Sequence, residues 1–398
     1  MDTFCSRSWN NYFIDLEFLT YKMCCRTQLK PMKLGEDWFN TKEIQERRLD
    51  HLTGKQHKSC NYCWTIEAKG LESFRKDVGG TRPNTLETVK DFYDKQLTIK
   101  VGNVCNMACR YCGPKHSSIW AERLHDPQYN KKGMVANKTD EERKLILEQL
   151  YTWLDSEIKF CNEVVLTGGE PSISPEFYEL VARMEFKNLK VTINTNLNTP
   201  ASYRDDFEAA LRKLSADNKV TVRISLDGVD DQNNWQRQGG NWEHIKTSYM
   251  MLSKLPVYLM LSQTVTPLTL EGMPKIAEFV ASTSDQFIHR PKFDTRAHIV
   301  TWPDPLNPIE WIPSYRTELQ EFLTIIVDNK LSRPEMVTQM TDWINMPDAL
   351  PSAKTVVTMT NWLDESQSKY GGGDWRTIYP KTANLAAQIL NNTKANDE

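Results

Sequence analysis

Between residues 96 and 294, short apolar runs alternate with longer amphipathic stretches. The runs QLTIKVG (96–102), NEVVLTG (162–168), LKVTINTN (189–196), KVTVRISLDG (219–228), VYLMLSQTVT (257–266) and FIHRPKFD (287–294) are mostly rich in β-branched residues and bounded by Gly, Pro or Asn, which marks strands. Helix-like stretches lie between them: TDEERKLILEQLYTWLDSEI (139–158), SPEFYELVARM (174–184), YRDDFEAALRKLSA (203–216) and NWEHIKTSYMMLSKL (241–255). Several open on a Thr, Ser or Asn cap, and Thr139 with Glu142 three residues on makes a capping box. A repeating strand–helix order predicts parallel strands joined by right-handed crossovers. Six such strands form an open or partly closed barrel, whose ligands sit at the C-terminal strand ends.

The flanks read differently. Residues 1–95 are rich in Cys, Trp and basic residues and show no βα alternation. They are expected to form a small separate domain that depends on metal, since their apolar core is slight. Residues 301–398 begin with Pro303, Pro305 and Pro308, continue as amphipathic helices, and are interrupted by Gly371–Gly373. No internal repeat stands out.

Composition narrows the class. The 398 residues are 39% hydrophobic and 25% charged, with a net charge of -3, so no general attraction to nucleic acid or an anionic membrane is expected. No apolar run approaches the roughly 20 residues of a membrane span, and the N-terminus has no secretory pattern; a cytoplasmic location is expected. Eight of the nine cysteines fall within the first 112 residues, and in a reducing compartment such clusters favour metal over disulfides. No serine–histidine–acid signature or P-loop is present.

Cys105, Cys109 and Cys112 lie directly after the first core strand, spaced C-x3-C-x2-C. Three thiolates on so short a loop can hold three corners of an iron–sulfur cube and leave one iron open. Zinc remains an alternative, with His116 as a possible fourth ligand.

The wider pattern resembles the radical SAM superfamily: CNMACRYC after the first strand, TGGEP (167–171) after the second, and polar residues at later strand ends. The resemblance implies a partial (β/α)6 barrel of α/β class over 96–300, with residues 301–398 as a helical extension. It implies a [4Fe–4S] cluster on Cys105, Cys109 and Cys112 whose open iron chelates S-adenosylmethionine, and an enzyme that cleaves it reductively to a 5′-deoxyadenosyl radical that abstracts hydrogen. Gly168, Gly169 and Glu170 match the segment that contacts the methionine amino group. Thr195 and Asn196, and Ser225 and Asp227, match strand-end positions for the ribose or methionine carboxylate. Arg237 matches a carboxylate-binding arginine, and Tyr111 an aromatic near the adenine. Gln263 and Thr264 are placed facing the same cavity.

FCSRSW (4–9), KMCC (22–25), ERRLDHLTGK (46–55) and CNYCW (60–64) resemble the SPASM/Twitch auxiliary-cluster module, here ahead of the core instead of behind it. The resemblance implies a second [4Fe–4S] cluster on Cys5, Cys24, Cys60 and Cys63, with Cys25 as a substitute for Cys24. From spacing alone, a four-cysteine zinc site fits too. Cys161 reads as a buried small hydrophobe. His289, His298, Asp294 and Arg296, near the last strand, are weaker candidates for the cavity.

The expected substrate is a peptide or protein side chain in preference to a small metabolite, with flavodoxin or ferredoxin as electron donor. The alternatives are a non-catalytic iron–sulfur electron carrier or sensor, and a zinc-stabilised binding module.

Overall fold

A computed structural model describes residues 3–24, 26–68, 73, 75–76, 95–125 and 139–397. The chain forms two compact units. The first comprises Met1–Val104, Ala121–Ile193 and Lys213–Val220; the second comprises Cys105–Trp120, Asn194–Arg212 and Thr221–Glu398.

In the first unit, β1 (Asn11–Asp15) pairs antiparallel with β2 (Thr20–Lys22), which pairs with β3 (Lys30–Pro31). On its other side β1 runs parallel to β4 (Lys95–Lys100), with Ile14 opposite Ile99. Next come β5 (Cys161–Thr167) and β6 (Lys190–Thr195), both parallel. The N-terminal segment is therefore not set apart as a separate domain: its first strand joins the core sheet. Asp15 lies opposite Lys100, and their fully buried side chains pair at 2.7 Å. The expected period of two is present, since Leu97, Ile99, Val164, Leu166, Val191 and Ile193 are all at 0% exposure. Among the described residues, the N-terminal segment also carries the helices α1 (Lys42–Leu52) and α2 (Asn61–Ala68). α3 (Asp140–Glu157) buries Ile146, Leu150 and Leu154. Its Thr139 hydroxyl accepts from the Glu142 amide at 3.1 Å, as the capping box predicts.

In the second unit, β7 (Lys219–Ser225) runs parallel to β8 (Tyr258–Ser262), with Ile224 opposite Leu261. β8 in turn runs parallel to β9 (Lys292–Phe293). The fifth expected run is broken at Gln263, and Thr264–Val265 pairs instead with His298–Ile299. The sixth is cut to two residues. The C-terminal extension is helical: Arg316–Asp328, Pro334–Ile344, Ala353–Tyr370 and Pro380–Asp397. Among the described residues no helix is long and apolar enough to cross a membrane.

Candidate functional site

In the second unit, Cys105, Cys109 and Cys112 sit on one loop, anchored by a two-residue ladder in which Ala108 and Cys109 pair antiparallel with Gln238 and Arg237. That ladder brings the Arg237 guanidinium to 3.9 Å from the Cys109 sulfur. Burial pushes the Cys109 thiol up to about 12, with Arg237 opposing the shift. A metal ion that binds such a thiol must displace its proton. Asn196, just past the end of β6, points its amide nitrogen at the Cys105 sulfur, 3.8 Å away.

Arg237 is held in turn. Its Nε is 2.7 Å from Asp227 Oδ2, and both side chains are buried. Tyr111 donates its hydroxyl to the same carboxylate oxygen, and the Thr264 amide donates to the other at 2.6 Å. Burial works against the Arg237 charge, but Asp227 more than compensates and raises its pKa above the ordinary value. Four positions expected from sequence (Cys109, Tyr111, Asp227 and Arg237) thus form one buried network.

Arg110 was not anticipated. Its guanidinium stacks 3.8 Å from the centroid of the Trp235 ring and donates to Trp235 O, Ser366 Oγ (2.6 Å) and Gly371 O (2.5 Å). Trp235 Nε1 donates to Gly373 O at 3.1 Å. The three glycines expected merely to break the C-terminal region therefore clasp the cysteine loop. A Cβ on Gly372 would meet Arg110 Nη2 at 2.8 Å, and its φ of +110° lies where side chains are strained. Spacing could not reveal a contact between residues 261 positions apart.

The other strand ends are more local. Thr195 Oγ1 accepts from the Leu197 amide at 2.9 Å, and Asn196 Oδ1 from the Asn198 amide at 2.8 Å, so both side chains shape the turn. Ser225 ends β7 beside Ser262. Gln263 is at 1% exposure with neither amide atom hydrogen-bonded, and Asn194 Oδ1 is likewise buried without a partner. Asn194 escaped the sequence reading, although it shares the period-two face of Asn196.

The glycine pair lies in the first unit. Gly168 has φ +156°, a Gly169 Cβ would lie 2.6 Å from the Asn103 carbonyl carbon and closer still to Val104 O, and the Gly169 and Glu170 amides donate to Gly102 O (2.8 Å) and Val104 O (2.7 Å). Gly169→Ala is expected to lower stability by about 1–3 kcal/mol or more, because the obstacle is backbone and cannot rotate away; a thermal melt equal to wild type would refute this. Glu170 is fully buried and caps its own turn through Ser172 N at 3.0 Å. Glu17, unforeseen, accepts from the Asn103 amide at 2.5 Å while its other oxygen is buried without a partner. Burial raises its pKa.

The first unit also holds the N-terminal cysteines. Cys5 precedes a short helical turn, Cys60 ends the turn Lys58–Cys60, and Cys63 lies in the first turn of α2. His51, fully buried on α1, places Nε2 3.6 Å from the Cys60 sulfur and Nδ1 3.2 Å from Ser8 Oγ. Burial pushes His51 down to about 3, so the ring is neutral and carries one N–H. Cys5 rises to about 12 through burial, reinforced by Cys24 and Cys60 and opposed by Arg47. Arg48, also fully buried, binds Ser8 O (2.8 Å), Asn40 Oδ1 (3.0 Å) and Phe39 O (3.1 Å), which ties the arginine of the basic run to the first cysteine turn. Cys25 lies outside the described residues.

Among the described residues, no three His, Cys, Asp or Glu side chains converge tightly enough to grip one metal ion. Zinc thiolates share a centre about 2.3 Å away; the ligands of an iron–sulfur cube bind separate corners and stand farther apart. The all-thiol donor sets, with N–H groups aimed at sulfur, suit a cube.

The weaker candidates lie elsewhere. His289 stacks on Tyr258, and His298 is exposed beside Asp294, which also pairs with Arg223 at 3.3 Å. Arg296 is exposed, and Cys161 is buried where β5 begins.

Parallel strands with a three-thiol loop following one of them define an α/β protein with a candidate metal-cluster loop. Residues 99–280, just under half of the chain, match the radical SAM superfamily model. The match implies a [4Fe–4S] cluster and S-adenosylmethionine as the cofactors of that region. Among curated proteins, the chain is similar to the sporulation killing factor maturation protein SkfB of Bacillus subtilis (strain 168), 25% identical over 196 residues, covering 48% of this chain and 41% of SkfB. It therefore spans less than half of SkfB's length. Among solved structures it matches Streptococcus suis SuiB bound to S-adenosylmethionine, with TM-score 0.35 and 13% identity over 80% of this chain and 68% of SuiB.

Proposed function

We propose that this chain modifies a peptide or protein substrate by radical chemistry, with Cys105, Cys109 and Cys112 holding the catalytic [4Fe–4S] cluster. The observation that carries the reading is the buried network in which Asp227 fixes Arg237 beside Cys109. Held by these three thiols, the cluster would supply with S-adenosylmethionine the radical chemistry for removing a substrate hydrogen.

The chain's own residues prepare that chemistry. Arg237 and Asn196 direct N–H groups at two of the three sulfurs, which stabilises thiolate against thiol. Asp227 orients Arg237 and Tyr111. Ser225, Thr195 and the unpartnered amide of Gln263 are the remaining polar groups for the ligand. SkfB is named as a maturation protein, and maturation implies a polypeptide precursor; this supports a peptide over a small metabolite.

A second [4Fe–4S] cluster on Cys5, Cys24, Cys60 and Cys63 acts in electron transfer, and residues 1–95 supply this auxiliary module. Three of its thiols influence one another electrostatically, and His51 Nε2 lies within hydrogen-bond reach of Cys60. A flavodoxin or ferredoxin supplies the electron.

Anaerobic reconstitution followed by S-adenosylmethionine and a strong reductant tests the reading. About eight irons per chain are expected for two four-iron cubes, together with 5′-deoxyadenosine. Full iron loading without cleavage would leave an electron carrier instead.

A further inference from the structure

We infer that the turn Tyr370–Gly373 is a clasp that sets how closely Arg237 approaches the Cys109 sulfur, with Arg110 as its positioning residue. The inference rests on the catalytic-cluster reading above, and every residue in it belongs to the second unit.

The Cys109–Arg237 contact depends on a ladder of two residue pairs, Ala108 with Gln238 and Cys109 with Arg237. A two-stranded ladder that short is not stable by itself, so its flanks must hold it. On the cysteine side, the Arg110 amide donates to Gln236 O at 2.9 Å. The Arg110 side chain, at 4% exposure, donates to Trp235 O, Ser366 Oγ and Gly371 O. On the arginine side, Trp235 Nε1 donates to Gly373 O at 3.1 Å, and Gln238 Nε2 donates to Tyr370 O. Residues beside Cys109 and on both sides of Arg237 are thus tied to one turn of four residues. Trp120 adds a further tie: it donates to Cys109 O at 2.9 Å and packs edge-on against the Tyr370 ring, 4.9 Å between centroids.

Both partners in the clasp are chemically particular. The carbonyls of Gly371 and Gly373 converge through φ values of +73°, +110° and +83° at three successive positions, which only glycine adopts readily. The Arg110 guanidinium lies flat on the Trp235 ring and donates in three directions; a lysine keeps the charge and loses the planar fork. The consequence for function is electrostatic. Hydrogen bonds to ligating sulfurs help set a cluster's reduction potential, and a donor aimed at sulfur favours the reduced, more negative form. Loosening the clasp withdraws the Arg237 N–H and its charge from Cys109, so the cluster becomes harder to reduce.

The test is a redox titration of the reconstituted full chain followed by electron paramagnetic resonance. The catalytic cluster is the one whose signal responds to S-adenosylmethionine. Arg110→Lys and Gly372→Ala should each lower its midpoint potential; in the second, the new Cβ meets Arg110 Nη2 at 2.8 Å and displaces it. Either variant suffices if the other fails to fold. Arg237→Gln should lower the potential at least as far, and Arg110→Lys/Arg237→Gln no further than Arg237→Gln alone, since Arg110 acts through Arg237. Leu319→Ala, at a fully buried position in the helix Arg316–Asp328, should lower the melting temperature without moving the potential. An unchanged potential in Arg110→Lys and Gly372→Ala would overturn the clasp. So would a rise, the sign expected if the turn merely kept water from the loop, additive shifts in the double variant, or an equal shift in Leu319→Ala. A wild type in which no signal responds to S-adenosylmethionine would instead overturn the reading on which this rests.

Discussion

Cys109→Ala is expected to reduce 5′-deoxyadenosine formation to background and to lower the iron content from about eight to about four per chain. The reason lies in where Cys109 sits. It is the central thiol of the loop, paired through its backbone with Arg237 and almost fully buried. Removing it leaves two thiols on that loop, too few for the cube, while the N-terminal quartet is untouched. The fold should survive, because the Ala108–Cys109 ladder is made by backbone atoms and Arg237 keeps Asp227. Iron and product should therefore fall together with little change in circular dichroism. Product formation at the wild-type rate would sink the assignment of the catalytic cluster.

Asp227→Ala should destabilise the protein by about 3–5 kcal/mol, as expected when one partner of a buried ion pair is removed. Three groups would lose their acceptor at once: the Arg237 guanidinium, the Tyr111 hydroxyl and the Thr264 amide. The stranded charge on Arg237 is the largest cost. Arg237→Ala removes that charge, so the double variant Asp227→Ala/Arg237→Ala should cost less than the two single variants summed. Urea denaturation of the iron-free chain measures all three under one condition. Strict additivity would show that the pair is not coupled. In the reconstituted enzyme, Asp227→Ala should also weaken S-adenosylmethionine binding, because Arg237 and Tyr111 lose their orientation.

The strands and helices of the core were legible because their signals are local. Period-two burial in β4, β5 and β6, the Thr139 cap and the glycine pair at 168–169 follow from side-chain alternation and backbone sterics within a few residues. The break at Gln263 was not legible, since its apolar surroundings read as continuous strand. Nor was the role of β1, because nothing in NYFID announces that it will lie beside QLTIK.

By itself, then, the sequence determined the order of the parallel strands, the three-thiol loop and the residue types at the strand ends, all of which rest on short-range chemistry. Only the tertiary structure decided that the N-terminal strand joins the core sheet, that Gly371–Gly373 hold Arg110, and that Asp227 joins Tyr111 to Arg237. These contacts link distant residues through packing, and their energies arise from burial: charges and amides that are ordinary in water must find partners once solvent is excluded.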